Sequence, residues 1–255
     1  FASYDKFFLF GDSITQESYS QQWGFGFSAA LQNAYIRRLD VVNRGLSGYN
    51  TRQALKVLPS IIPPPGQARI RFLVVFFGAN DASVPWGDNK QHIPLDEYKD
   101  NLKNIITHPQ VAAHNARIIL VTPPPVNEHR FDPVNRLASD TKKYAEAACE
   151  VGQELGVSVV NLWKAFMERT GWEADKWKAD EPIPGSLKLA ENDALLELMW
   201  DAGLHFYPAG YEVLFQETIK LITEKWPDQL PENLPMILPL WSDPTAWEAW
   251  EKSTK

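Results

Sequence analysis

A single cysteine, Cys149, stands among the 255 residues. No internal disulfide is possible, and the chain fits a reducing compartment such as the cytoplasm. No Asn-x-Ser/Thr acceptor occurs, which also speaks against secretion, although an opening Phe1 in place of Met is compatible with a removed leader. Long apolar runs are missing: the longest, Phe72 to Phe77, falls far short of a membrane span. Cations are in deficit. Lys and Arg number 25 against 32 Asp and Glu, a net charge of −7 with no basic stripe, which argues against a nucleic-acid partner. No two histidines stand at helical ligand spacing and Cys149 is beside none of them, so no metal site is indicated.

What is present is an apolar share of 44%, enough for a substantial core. Strand patterns at Lys6–Phe10, Asp40–Asn43, Arg71–Phe77, Arg117–Thr122 and Ser158–Asn161 alternate with helical ones. Leu95, Tyr98, Leu102, Ile105 and Ile106 recur at steps of three and four after Pro94. Leu137, Thr141, Tyr144, Ala148, Val151 and Leu155 repeat the pattern up to a stop at Gly156. A last long helix runs from Pro208 to Trp226. Apolar strands separated by amphipathic helices predict an α/β domain, its parallel sheet covered on both faces, over residues 1–226. Residues 170–192 interrupt the alternation and read as a lid or binding loop. In 227–255, Pro227, Pro231, Pro235 and Pro239 block helix and favour an extended arm, and Asp243-Pro244 begins a short final helix. Its tryptophans must dock on the chain's own body or on a second subunit, as in a homodimer.

Three strands end in unusual loops: Gly11-Asp12-Ser13, Asn43-Arg44-Gly45-Leu46-Ser47-Gly48 and Gly78-Ala79-Asn80-Asp81. In a parallel sheet these loops share one edge, the edge where ligands bind. Gly-Asp-Ser alone is most often only a turn. Three such loops around one hydroxyl provide what acyl transfer needs: Ser13 as nucleophile, with the Gly48 amide, the Asn80 side chain and the Ser13 amide as donors to an oxyanion. For a base there are five histidines. His108 and His114 read as surface residues, and His92 and His129 sit in polar loops. His205 follows Gly203-Leu204 in a loop just ahead of the Pro208 helix, where a base can reach into a site. Gly24-Phe25-Gly26-Phe27-Ser28-Ala29 matches a dinucleotide fingerprint, but no strand pattern precedes it, so nucleotide binding is not expected there.

Phe-Gly-Asp-Ser, Asn-Arg-Gly-Leu-Ser-Gly, Gly-Ala-Asn-Asp and Gly-Leu-His, in that order, resemble the GDSL/SGNH hydrolase superfamily. Phe-Gly-Asp-Ser-Ile-Thr, Gly-Leu-His-Phe and the Pro-rich tail are similar to its isoamyl acetate-hydrolysing esterases. The resemblance implies a flavodoxin-like three-layer α/β/α sandwich with a five-stranded parallel sheet and no cofactor. It implies Ser13 as nucleophile, His205 as base, and Gly48 and Asn80 as oxyanion donors. One position departs from the pattern. The family's orienting aspartate stands three residues before the histidine, where this chain has Ala202; Asp201, one residue further back, is the expected substitute.

Trp23, Phe25, Tyr49, Trp86 and Phe206 lie in or beside the site-forming loops, either packing beneath them or lining an apolar substrate pocket. Together with the resemblance this favours short-chain acyl esters, acetates above all. The competing readings are an acetylated sugar, stacked on exposed tryptophan, and a non-catalytic binding protein built on a hydrolase, for which Ala202 is the motive.

Overall fold

Alternation along each strand decides which layer a side chain joins. In β1 (Asp5–Gly11), Phe7 and Leu9 face one way, Phe8 and Phe10 the other, and all four are buried. The computed structural model describes residues 4–178 and 181–253, apart from the side chains of residues 201 and 202. After β1 the chain runs through α1 (Ser13–Glu17), α2 (Phe27–Ala34), β2 (Leu39–Gly45), α3 (Thr51–Ile61), β3 (Ile70–Phe76), α4 (Leu95–Ile106) and α5 (Pro109–Ala112). It continues with β4 (Arg117–Val121), α6 (Ala138–Leu155), β5 (Ser158–Val160), α7 (Leu162–Arg169) and α8 (Asp193–Leu198). The strands β6 (Met199–Trp200) and β7 (His205–Phe206) enclose the one-turn α9 (Asp201–Leu204), and α10 (Pro208–Lys225) and α11 (Pro244–Ser253) close the order.

The five long strands form one parallel sheet in the order β2-β1-β3-β4-β5, a flavodoxin-like arrangement. Phe7, Leu9, Phe72, Val74, Ile119 and Val160 pack with residues of α2, α7, α8 and α10 on one face. Phe8, Phe10, Leu73, Val75 and Leu120 pack with residues of α3, α4 and α6 on the other. All five expected strands are present, with no end moved by more than two residues. Among the described residues no helix is long and apolar enough to cross a membrane.

Two expectations need correction. His114 is not a surface residue: it is buried, its Nδ1 accepting from the Ile70 amide at 3.1 Å and its Nε2 2.7 Å from the Pro63 carbonyl. It ties the entry of β3 to the loop before it, a long-range contact that helical pattern cannot reveal. The arm after α10 is not simply extended either. Pro227 and Pro231 each open a turn of 3-10 helix, because proline is barred from a helix interior but suits a first position. Beyond these turns the arm lies along residues 35–38 of the same chain. Arg37 donates to the carbonyls of Leu238 and Pro239, Arg38 to that of Leu234, and the Ile237 amide to the Arg37 carbonyl. Trp247 and Trp250 meet edge to face at 5.7 Å on α11.

Candidate active site

Sheet register sets the site. Gly11 at the end of β1 pairs with Gly45 of β2 on one side and with Phe76 of β3 on the other, so the three following loops start at the same level. A side chain at Gly45 would meet the backbone of Gln16 at 2.0 Å, so glycine is what lets α1 lie directly on the end of β2. Asp12 caps α1, its Oδ1 accepting from the Ile14 amide at 2.9 Å. Ser13 is therefore the first helical residue, and the amide of that position has no partner within its own helix.

The strand pair β6–β7 carries His205. Met199 pairs with Phe206 and Trp200 with His205, too short a ladder to show in sequence periodicity. His205 Nε2 lies 2.9 Å from Ser13 Oγ, across 192 residues of sequence. The Trp200 ring lies beside the imidazole, tilted to it by 33° with the ring centroids 5.8 Å apart. Tyr211, one turn into α10, donates to the Ile14 carbonyl at 2.8 Å and so ties the helix behind His205 to the helix that carries Ser13. Asp201 opens α9, of which His205 is the C-cap; the side chains of Asp201 and Ala202 lie outside the described residues.

The other two loops present donors. Leu46 to Tyr49 form a turn closed by Tyr49 N–H to the Leu46 carbonyl at 3.1 Å, with Gly48 at its third position and φ +80°. That conformation favours glycine. The Gly48 carbonyl accepts from Gln91 Nε2 at 2.9 Å. Asn80, buried, gives one Nδ2 hydrogen to the Tyr49 carbonyl at 2.9 Å and accepts at Oδ1 from Arg136 at 2.8 Å. A primary amide carries two N–H groups, so a second remains for a ligand.

Beneath the donors lie two buried carboxyls. Burial pushes Asp12 up to about 7, the charge of Asp81 adding to the rise while the Ile14 amide and Arg136 oppose it. Burial also raises Asp81 to about 6 against the bonds from Thr51, whose hydroxyl and amide both donate to it. One oxygen of each carboxyl has no partner among the described groups. A carboxyl that keeps its proton longer in the native than in the unfolded chain makes stability fall as pH climbs from the ordinary carboxylate range to the native value. The fold is thus favoured on the acid side of that window, and the contribution is gone above about 7. Asp12→Asn keeps the acceptor for Ile14 and has no charge to bury. Its melting temperature is expected to exceed that of the wild type by several degrees at about pH 8, with the gap closing near pH 4, as thermal unfolding followed by circular dichroism would show.

Of the five aromatics expected beside the site-forming loops, three share a cavity. Trp23, Phe25 and Phe206 line a space of about 310 Å³ together with Trp200, Pro208 and Tyr211. Trp23 is exposed, whereas Phe206 is buried against Phe166 and Tyr211. Tyr49 packs partly buried against the opposite core and Trp86 is exposed, and neither lines that cavity. Ser13, Gly48, Asn80 and His205 do not line it either, but it adjoins His205 through Trp200 and Phe206. A larger space of about 670 Å³ between α6 and residues 172–178 and 181–188 is lined by none of these four and has no such neighbour of His205. Sequence reading missed Arg136, Gln91 and Trp200. None stands in a recognisable motif; each reaches the site by a long-range contact. Arg52, close to Gly48 in sequence, is held by Glu97 through two bonds of 2.7 Å.

The sequence profile of the GDSL-like lipase/acylhydrolase family matches residues 9–213. The chain is 36% identical over 245 residues to the isoamyl acetate-hydrolyzing esterase 1 homolog of Mus musculus, covering 92% of this chain and 86% of the relative. Among solved structures, a lipase/acylhydrolase from Enterococcus faecalis superposes with a TM-score of 0.62 at 26% identity, over 91% of this chain and 98% of that one. An acetylxylan esterase from Geobacillus stearothermophilus shares the fold, with a TM-score of 0.61 at 24% identity over 88% and 96% of the two chains.

Proposed function

The chain belongs to the GDSL-like lipase/acylhydrolase family and is a carboxylic ester hydrolase, and we propose that it cleaves small uncharged esters, acetates above all, through an acyl-enzyme on Ser13. The observation that carries the reading is the 2.9 Å approach of His205 Nε2 to Ser13 Oγ at the sheet edge. Ser13 Oγ attacks the ester carbonyl carbon while its proton passes to Nε2. The carbonyl oxygen, now negative, takes bonds from the amides of Ser13 and Gly48 and from Asn80 Nδ2. The tetrahedral adduct collapses, the C–O bond to the alcohol breaks, and the imidazolium protonates the leaving oxygen. Water repeats the sequence on the acyl-serine, giving its proton to His205 and releasing the carboxylic acid. Asp201 is the proposed orienting acid, as the acid that stands one residue before the position where the resemblance places an aspartate and this chain has Ala202. The lone Cys149, half-buried and free, supports a reducing compartment such as the cytoplasm.

The substrate preference rests on the cavity that Trp200 and Phe206 line next to His205, a space that neither Ser13 nor His205 itself lines. A space of about 310 Å³ lined mainly by Trp23, Phe25, Trp200, Phe206, Pro208 and Tyr211, with Ser20 and Gln22 and with Glu17 as its one charged group, suits a short apolar group and disfavours an anionic one. Steady-state rates on isoamyl acetate and on acetylated xylooligosaccharides separate the two ester classes. The expected result is a kcat/KM at least about tenfold higher on isoamyl acetate, the scale on which added apolar contact discriminates. The reverse order would assign the exposed Trp23 and Trp86 to sugar stacking and overturn the preference.

A further inference from the structure

We propose that Arg136 is a positioning residue for the oxyanion hole, its guanidinium holding the Asn80 donor directly and restraining the turn that carries the Gly48 donor through Gln91. The proposal rests on the serine esterase reading above and deepens it. Arg136 lies just before α6, where Ser83 and Arg136 form an isolated antiparallel bridge and the Val84 amide donates to the Asn135 carbonyl at 2.9 Å. The side chain is buried, and its Nε donates to the Ala79 carbonyl at 2.7 Å. One terminal nitrogen, Nη2, then divides between Asn80 Oδ1 at 2.8 Å and Gln91 Oε1 at 3.1 Å.

Each of these bonds decides an orientation. Guanidinium only donates, so the amide oxygen of Asn80 must face it. The Tyr49 carbonyl only accepts, so it takes one Nδ2 hydrogen. Between these two partners the amide has a single placement, and its remaining N–H is fixed in direction. The same logic runs through Gln91. Its oxygen faces Arg136, so its nitrogen is turned to the Gly48 carbonyl at 2.9 Å, while its own carbonyl is held by Asn50 Nδ2 at 3.0 Å. Gly48 sits at φ +80° and has no side chain to hold its peptide in place, so the bond to its carbonyl restrains the turn. The guanidinium also carries charge. Burial pulls it down to about 10, which still leaves it protonated at neutral pH. A cation on the oxygen of an amide polarises its N–H toward better donation, and this acts where negative charge develops rather than on the neutral ester.

The test is Arg136→Met with p-nitrophenyl acetate, beside Arg136→Lys, Asn80→Ala and the Arg136→Met/Asn80→Ala double variant. Misplacing a donor by a small distance costs about 10–100-fold in kcat, with KM within about twofold because ground-state binding is not involved. Arg136→Lys should recover part of the loss. In the Asn80→Ala background most of the effect of Arg136→Met should disappear, leaving the share transmitted through Gln91. The affinity of an aryl trifluoromethyl ketone, whose adduct places an oxyanion in the hole, should fall by the same factor as kcat/KM. A merely structural arginine would move the melting temperature and not this ratio. Wild-type kcat in Arg136→Met, or losses that multiply fully in the double variant, would overturn the proposal. If Arg136→Met does not fold, Gln91→Met decides: a loss of kcat at unchanged KM that persists in Asn80→Ala supports it, and wild-type kcat refutes it. Failure of the serine reading is distinguishable, because it shows as activity retained in Ser13→Ala whatever Arg136 does.

Discussion

Ser13→Ala is expected to lower kcat on p-nitrophenyl acetate by roughly 10⁴–10⁶-fold while leaving the melting temperature within a few degrees of the wild type. The two halves of that expectation have separate causes. The hydroxyl pairs with His205, a contact that matters to chemistry and little to packing. The structural work at this bend belongs to neighbours. Asp12 caps α1 and Gly45 lets α1 approach the sheet, and Ile14 is fully buried behind them. Alanine is smaller than serine and is the residue best suited to a helix, so nothing in α1 has to move. A fluorophosphonate probe gives the same question a covalent readout. Intact-mass spectrometry should find one adduct on the wild type, mapped to Ser13, and none on Ser13→Ala. No adduct on the wild type would favour a binding protein built on a hydrolase scaffold, and hydrolysis by Ser13→Ala would move the nucleophile elsewhere.

Much of this site could be read in the sequence because three strands announce their own ends. The runs Phe7–Phe10, Val41–Val42 and Phe72–Phe77 are apolar enough to be buried strands, and each stops at a glycine-bearing loop. Parallel topology then forces Ser13, Gly48 and Asn80 to one edge without any knowledge of register. His205 was legible from its place ahead of the Pro208 helix and from the Gly-Leu-His resemblance rather than from periodicity, since the two-residue strands β6 and β7 are too short for a period to show. Arg136 was not legible at all. It stands between an irregular loop and α6, and its importance comes from where its fork lands, on Asn80 and Gln91, 56 and 45 residues away in sequence. His114 illustrates the same limit in the core: a polar residue at the end of a short helix looks solvated until the Pro63 carbonyl and Ile70 amide close around it. The tail misled for another reason. Proline excludes α-helix interiors, but it is also a good first residue of a helical turn, and Pro227 and Pro231 are used in that way.

His205→Ala should cost as much as Ser13→Ala, roughly 10⁴–10⁶-fold in kcat, and the double variant no more than either alone, because nucleophile and base act as one unit. If the two losses instead multiplied, the groups would be working independently and the 2.9 Å pairing would be incidental to the reaction. Asp201→Asn is expected to fall short of these losses, since an orienting acid improves the base without replacing it. The pH profile offers a second, independent reading, though three groups compete for it. Acidification protonates an imidazole base and removes activity. Asp12 and Asp81, pushed up by burial to about 7 and about 6, also change charge in the neutral range. Asp12→Asn and Asp81→Asn separate them from the base. If His205 is the base, the acid limb of kcat/KM survives in both variants, because asparagine does not titrate there. If the limb vanishes in one of them, the titration that gates turnover belongs to that buried carboxyl, and the base assignment loses its pH support. Either outcome is read from the same set of initial rates between about pH 5 and 9, within which a His-dependent limb falls.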